Sequence, residues 1–398
     1  MSTAGTTRAR VTLPKVASER LIGHLAGERE GPVFLVSGGM HGNEPAGVHA
    51  VQRVLDSVQR NALPLRGELI GLVGNVAALA KGQRFQTRDL NRNWTDPEVR
   101  ALLASDPAQD SPEDREQREL ATLFLELGRS KPHPLCVLDL HSTSSVSAPF
   151  LIMADTLRNR RIAAAQPLPT ILGLEELLDG TIMGFLTERG HIALAMEGGR
   201  HDAPATVDHL ESALWMALVA NKNLSAANVP DYHDHARRLA EAGAGLPGFL
   251  EVFQRHAVSP EDAFAMDAGF WSFQTVRRGQ RLAEDARGVI HASRDALILM
   301  PLYQPQGSDG FFLAQAISPR KLRLSTWLRR LRAERLLGFF PGIARHPSRD
   351  DAWVVARAPG VERVKAILAF FGYRRCWEED GRLVLARRRP GHKGRGRL

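Results

Sequence analysis

The stretch Val33-Phe34-Leu35-Val36-Ser37-Gly38-Gly39-Met40-His41-Gly42-Asn43-Glu44-Pro45 decides how this chain is read. Its first four residues have the apolar run of a buried strand, and the glycines end it. After Pro45, the spacing of Val48, Val51, Val54, Leu55 and Val58 predicts a helix over about 46 to 60. Strand, turn and helix in that order are the unit of an α/β sheet. The turn also presents a His and a Glu three positions apart. In an open α/β sheet, groups just beyond the carboxyl ends of strands face the crevice where ligands bind. Imidazole nitrogen and carboxylate oxygen both ligate zinc, so His41 and Glu44 are placed to share one ion, with a third ligand leaving a position for water.

The same logic extends outward. Leu69–Val73, Cys136–Leu138 and Ile192–Ala195 read as further strands, Pro112–Leu127 as a Glu-rich helix and Asp208–Asn223 as a closing helix. The strand around Cys136 delivers His141 at its carboxyl end, a second imidazole for the crevice and the candidate third ligand. Asp139 either orients a ligating His or serves a buried structural role. The strand at Ile192 runs into Glu197-Gly198-Gly199-Arg200, placing a carboxylate where it can act as general base and then as proton donor. Arg200 is a candidate substrate contact at the mouth, while His201 and Asp202 read as structural or solvated. Gly82 to Trp94 is a loop with three arginines, Arg84, Arg88 and Arg92. A guanidinium holds a carboxylate through two parallel hydrogen bonds and can stabilise an oxyanion. Arg88 reads as a solvated charge.

Length and composition bound the rest. The 398 residues are 43% hydrophobic and 24% charged, a globular balance sufficient for two or three domains and unlike a collagen, coiled coil or disordered chain. No apolar run approaches the roughly 18 to 20 residues that span a bilayer, and the first residues lack a signal-peptide core, so no membrane and a cytoplasmic location are expected. Two cysteines, Cys136 and Cys376, fit a reducing compartment and exclude a Cys-rich zinc site. The net charge of +8 is unevenly spread: residues 320–398 hold 21 Lys+Arg against 7 Asp+Glu, leaving 31 against 37 in the first 319. Polyanion or nucleic-acid binding is therefore a reading for the C-terminus alone. No HExxH, P-loop or GxSxG motif occurs, and Pro45 excludes the inverted zinc-protease motif.

The expected organisation is an α/β domain over residues 1–227, with a mixed, largely parallel sheet and helices on both faces. A small all-β domain over 228–318 follows, then a basic α+β extension over 319–386 and a disordered basic tail over 387–398.

Gly39-Met40-His41-Gly42-Asn43-Glu44, Arg84 with Asp89-Leu90-Asn91-Arg92, Asp139-Leu140-His141 and Met196-Glu197-Gly198-Gly199 together resemble the succinylglutamate desuccinylase/aspartoacylase family, zinc amidohydrolases related to zinc carboxypeptidases. The resemblance continues through Ile298-Leu299-Met300-Pro301-Leu302-Tyr303 and Gly307 to Phe312, covering about residues 30 to 316. It implies a zinc-carboxypeptidase-like fold and one zinc per chain on His41, Glu44 and His141. It further implies that Glu197 is the catalytic carboxylate, that Arg84 polarises the scissile carbonyl, and that Asn91 and Arg92 grip a substrate carboxylate. The expected activity is hydrolysis of an N-acyl amino acid or similar small carboxylate-bearing amide. The same apparatus also suits an ester or a peptide C-terminus, and the contrasting reading is an inactive scaffold with a polyanion-binding C-terminus. Aspartoacylase supplies a substrate-contacting Tyr from its second domain, and near the corresponding place this chain has Ser308-Asp309-Gly310, which tells against acetylaspartate. Residues 319–398 have no counterpart in the family.

Overall fold

The structure, a computed structural model, describes residues 19–131, 133–340, 342–356 and 360–388. Strands β1 (Leu21–Ala26), β2 (Arg29–Gly38), β3 (Arg66–Val73), β4 (Cys136–Thr143), β5 (Phe150–Met153), β6 (Thr170–Leu172) and β7 (Ile192–Arg200) come from the first part of the chain. The β-rich part adds β8 (Phe249–Ala257), β9 (Ala265–Met266), β10 (Thr275–Val276), β11 (Arg281–Asp285), β12 (Gly288–His291), β13 (Ala296–Leu299) and β14 (Asp309–Ala316). One eleven-stranded sheet runs β1-β3-β2-β4-β7-β5-β6-β8-β14-β13-β10. Neighbours along β3-β2-β4-β7 are parallel, as are those along β5-β6-β8, and β5 is antiparallel to β7. The β-rich part is present as expected, but most of it is no separate sheet. Its β8 pairs in parallel with β6, so β8, β14, β13 and β10 prolong the main sheet, and β9, β11 and β12 form a small sheet beside it.

Alternation along the central strands builds two cores. Phe34 and Val36 of β2, with Leu138 and Leu140 of β4, face the helices Ala46–Arg60 and Ala205–Ala220. Val33 and Leu35, one position out of phase, face Leu120, Leu123, Phe124 and Leu127 of the helix Pro112–Ser130. Strands buried on both faces read as unbroken apolar runs, which is what marked Val33–Val36 in the sequence. The helix Ala46–Arg60 starts where expected and meets the sheet backbone to backbone: a Cβ on Gly47 would stand 2.7 Å from the carbonyl oxygen of Leu140. Gly39 supplies a φ of +69°, open to glycine at little cost, for the turn that leads into His41.

The basic extension folds as expected into an α+β unit, with β15 (Ile343–Arg345), β16 (Ala352–Val355), β17 (Arg375–Glu379) and β18 (Arg382–Ala386) in the order β15-β16-β18-β17 beside the helix Val361–Phe370. Its first helix, Pro319–Arg330, ends just before Arg332, which takes a left-handed φ of +56°. An ionic clasp joins the unit to the main body. Asp155, fully buried, accepts from Arg160 Nε at 2.6 Å, Arg329 Nη1 at 2.9 Å and Arg374 Nε at 2.9 Å. Arg374 also pairs with Glu251, Arg375 with Glu188, and Arg388 reaches the backbone oxygen of Glu175. Of the tail expected to be disordered, residues 389–398 lie outside the described residues. Arg387 and Arg388 correct that expectation, since both are ordered by partners, Glu334 for Arg387 and Glu175 for Arg388.

Candidate active site

Because β2, β4 and β7 are parallel neighbours, their carboxyl ends coincide, and so do the residues that follow. His141 on β4 stands directly opposite Glu197 on β7, and Asp139 opposite Ser37 on β2. His41 and Glu44 sit in the turn after β2, and the rings of His41 and His141 are 5.1 Å apart. The ligand atoms of His41, Glu44 and His141 lie within 4.8 Å of one another, and all three residues are buried.

Each imidazole is held between two carboxylates. His41 has Nδ1 2.9 Å from Glu44 Oε1 and Nε2 3.2 Å from Asp89 Oδ1. His141 has Nδ1 3.0 Å from Glu44 Oε2 and Nε2 2.7 Å from Asp139 Oδ2. Asp139 is fixed in turn by Ser37 Oγ at 2.7 Å. With Nε2–H donated to the outer carboxylates, both Nδ1 lone pairs turn toward Glu44, a donor set that could hold a metal ion with carboxylates supporting it from outside. Without a cation there, both Nδ1 lone pairs would face the Glu44 carboxylate. Burial disfavours charge on His141, yet Asp139 and Glu44 hold its pKa well above the ordinary value. Burial likewise works against the Glu44 carboxylate, and the two imidazoles still keep its pKa well below the usual range. A site that so strongly favours a positive centre beside Glu44 fits a divalent cation.

Glu197 is different in kind. Burial pushes its carboxyl up to about 8, and its Oε2 has no hydrogen-bond partner. A buried acid near neutrality with a bare oxygen is suited to taking and returning a proton.

The arginine loop is fixed rather than solvated. Glu113, at the start of the helix Pro112–Ser130, accepts from the backbone N–H groups of Gln86 at 2.7 Å and Thr87 at 3.0 Å. Arg84, which lines the pocket, donates to Glu44 at 3.4 Å and Asp89 at 3.1 Å, and its buried Nε has no partner. Arg88 turns away to Asp114 and Gln117. Asn91 uses its Oδ1 to accept from Ile182 N–H at 2.9 Å, and Arg92 pairs with Asp309 at 2.7 Å.

His41, Glu44, Arg84, Asn91, Arg92, His141 and Glu197 thus line one cavity of about 110 Å³, together with Ser142, Gln304 and Ser308. Arg200 does not join them: its exposed side chain pairs with Asp202 outside the cavity. A larger cavity of about 720 Å³ lies between Leu157–Pro169 and the first helix of the extension, and holds none of these groups. Two functional groups escaped sequence reasoning. Asp89, which sets the ring of His41 and ties down Arg84, sat inside a quoted motif without a role. Asp309 reaches Arg92 from 217 positions away, and no local pattern signals that pairing.

Residues 30–218 match the family model described as the succinylglutamate desuccinylase/aspartoacylase catalytic domain, which bears out the resemblance drawn from the motifs. A succinylglutamate desuccinylase of Burkholderia pseudomallei is 30% identical over 124 residues, 31% of this chain and 34% of that protein. One of Pseudomonas putida is 41% identical over 59 residues, 15% of this chain and 18% of that protein. The chain therefore spans about a fifth to a third of the length of the curated relatives it matches. Among solved structures, succinylglutamate desuccinylase from Vibrio cholerae superposes with a TM-score of 0.55 at 15% identity, over 74% of this chain and 85% of that one. A succinylglutamate desuccinylase/aspartoacylase from Rhodobacter sphaeroides gives 0.52 at 18% identity, over 74% and 88%. At such identities the shared property is the fold.

Proposed function

With a catalytic domain over residues 30–218 that matches the succinylglutamate desuccinylase/aspartoacylase family, we propose that this chain is a zinc-dependent deacylase, hydrolysing the amide of a small N-acyl compound of the size of an N-acyl amino acid. The observation that carries this reading is the pair of imidazoles, each backed by its own carboxylate and turned on Glu44, beside a buried Glu197 with one oxygen unpaired. His41, Glu44 and His141 would hold the ion, which supplies Lewis acidity toward the carbonyl and makes water nucleophilic near neutral pH.

The chain's own groups account for the remaining steps. Glu197 accepts the proton of the attacking water and returns it to the leaving amine. Arg84, which lines the cavity, meets the negative charge that grows on the carbonyl oxygen. Asp89 and Asp139 keep both rings in the tautomer that points Nδ1 inward. A cavity of about 110 Å³ favours small amides or esters over a peptide C-terminus. We read the architecture as carboxypeptidase-like and the setting as cytoplasmic, in keeping with two free cysteines. No helix among the described residues is long and apolar enough to cross a membrane. The arginines of the extension serve the body's own carboxylates in this reading, ahead of any external polyanion.

Elemental analysis of untagged protein tests the proposal, alongside His141→Ala. About one zinc per chain in the unmodified protein, none in the variant, and release of amine from N-acetyl compounds by the first alone support it. No zinc after reconstitution, or turnover independent of His141, refutes it.

A further inference from the structure

The carboxylate grip that the family resemblance expects of Arg92 is already taken by the chain itself. Arg92 Nη2 donates to Asp309 Oδ2 at 2.7 Å and Nη1 to the backbone oxygen of Asn91 at 2.8 Å. Asp309 Oδ1 accepts in turn from Arg255 Nε at 2.6 Å. Burial opposes the charge of Arg92, but Asp89 and Asp309 more than offset it and keep the guanidinium ionised. Glu175, at the same end of the cavity, accepts from Thr181 Oγ1 at 2.7 Å and lies 4.0 Å from Arg388. Each arginine at this end therefore already faces a carboxylate of the chain. A substrate carboxylate seeking Arg92 would have to displace Asp309, leaving a largely buried acid short of a partner, which is among the costlier exchanges in a protein interior. The same cavity is lined in part by apolar side chains, Ile152, Leu174, Leu178, Met183 and Phe312.

Resting on the deacylase reading, we infer that Asp309 is a specificity-determining residue that withholds Arg92 from the substrate, so that the pocket selects N-acyl amides bearing an uncharged, partly apolar group where an N-acyl amino acid bears a free carboxylate. Asp309 is the first residue of β14, and its two oxygens face two different arginines. Asp309→Asn keeps the shape, removes the charge and returns the positive charge of Arg92 to the cavity.

The probes are N-acetyl-L-valine and N-acetyl-L-valinamide, which differ in charge and hardly in size. Their affinities are measured by calorimetry on zinc-supplied Glu197→Gln protein, with Asp309 intact and as Asn. With Asp309 intact the amide should bind at least about tenfold more tightly, and Asp309→Asn should move the ratio toward the acid by about tenfold or more. Equal or tighter binding of the acid with Asp309 intact, or no binding of either compound, overturns the inference. Should the Asn variant fail to fold, the ratio with Asp309 intact decides alone. Turnover of the same compounds by the chain with Glu197 intact separates the two readings: preference in binding without hydrolysis removes the deacylase, and hydrolysis of both without preference removes the role of Asp309.

Discussion

Replacing Asp155 by Asn should loosen the basic extension from the body. Asp155 is fully buried and accepts from three guanidinium groups, Arg160 of the body and Arg329 and Arg374 of the extension. Breaking a buried ion pair on one side typically costs about 3 to 5 kcal/mol, because the remaining charges lose their compensation. Three cations crowded around a neutral amide put this case at the upper end. At an unfolding entropy of about 2.1 cal/mol/K per residue, a chain of 398 residues carries about 0.8 kcal/mol/K, so the loss corresponds to roughly 4 to 6 °C in melting temperature. The pH dependence is a second signature. Burial would raise the pKa of Asp155, yet Arg329, Arg160 and Arg374 hold it well below the usual carboxylate range. A depressed pKa contributes stability that is complete above the unfolded value near about 3.9 and is lost as pH falls toward the folded value. The gap between the two proteins should therefore be full at pH 7 and shrink only below about pH 4. Scanning calorimetry reads both effects, and limited proteolysis reads the extra cutting expected around residues 316–320. A variant melting within about 1 °C of the unmodified protein, with the same proteolytic pattern, would refute the clasp as a stabilising element.

The other expectations concern the site. Arg84→Ala should keep its zinc but lose about 10² to 10³ in kcat, measured on any compound the unmodified chain turns over; a change confined to KM would place Arg84 outside the chemistry. In metal-free protein, burial pushes Glu197 up to about 8, and an acid raised above its unfolded pKa costs stability as pH climbs between the two values. Glu197→Gln should therefore abolish hydrolysis yet raise the melting temperature in chelator, with no gain near pH 4, a growing gain up to about pH 8 and a level one beyond. Gly47→Ala puts a Cβ 2.7 Å from Leu140 O, so it should cost about 1 to 3 kcal/mol and weaken zinc retention by shifting the turn that carries His41 and Glu44. Unchanged zinc affinity at reduced stability would sever that link.

Much of the site was legible because its groups follow buried strands that are parallel neighbours. Val33–Val36, Cys136–Leu138 and Ile192–Ala195 announce themselves as apolar runs, and parallel pairing brings His41, His141 and Glu197 together whatever lies between them. What depended on pairing across the chain was hidden. Thr170–Leu172 is three residues long, too short to declare that it would accept β8 and carry the sheet onward into the β-rich part. Asp155 sits in an unremarkable Ala154-Asp155-Thr156, and nothing local says that it gathers arginines from 174 and 219 positions away. Asp309 was quoted as a departure from the family, but its hold on Arg92 is a property of three dimensions. Arg200 erred the other way, since a place at the end of the strand that carries Glu197 did not aim its side chain inward.

The continuity of the sheet sets how this pocket breathes. A second part joined to the first by a linker could swing away and admit substrate through a hinge, on the microsecond to millisecond scale of such motions. Here β6, β8, β14 and β13 are rungs of one ladder, so the chain that rims the cavity between β13 and β14, with Met300, Leu302, Gln304, Gly307 and Ser308, is tethered at both ends to the floor it covers. The aperture is in effect a fixed-bore port whose gasket is the loop of residues 300–308, a sieve by molecular girth.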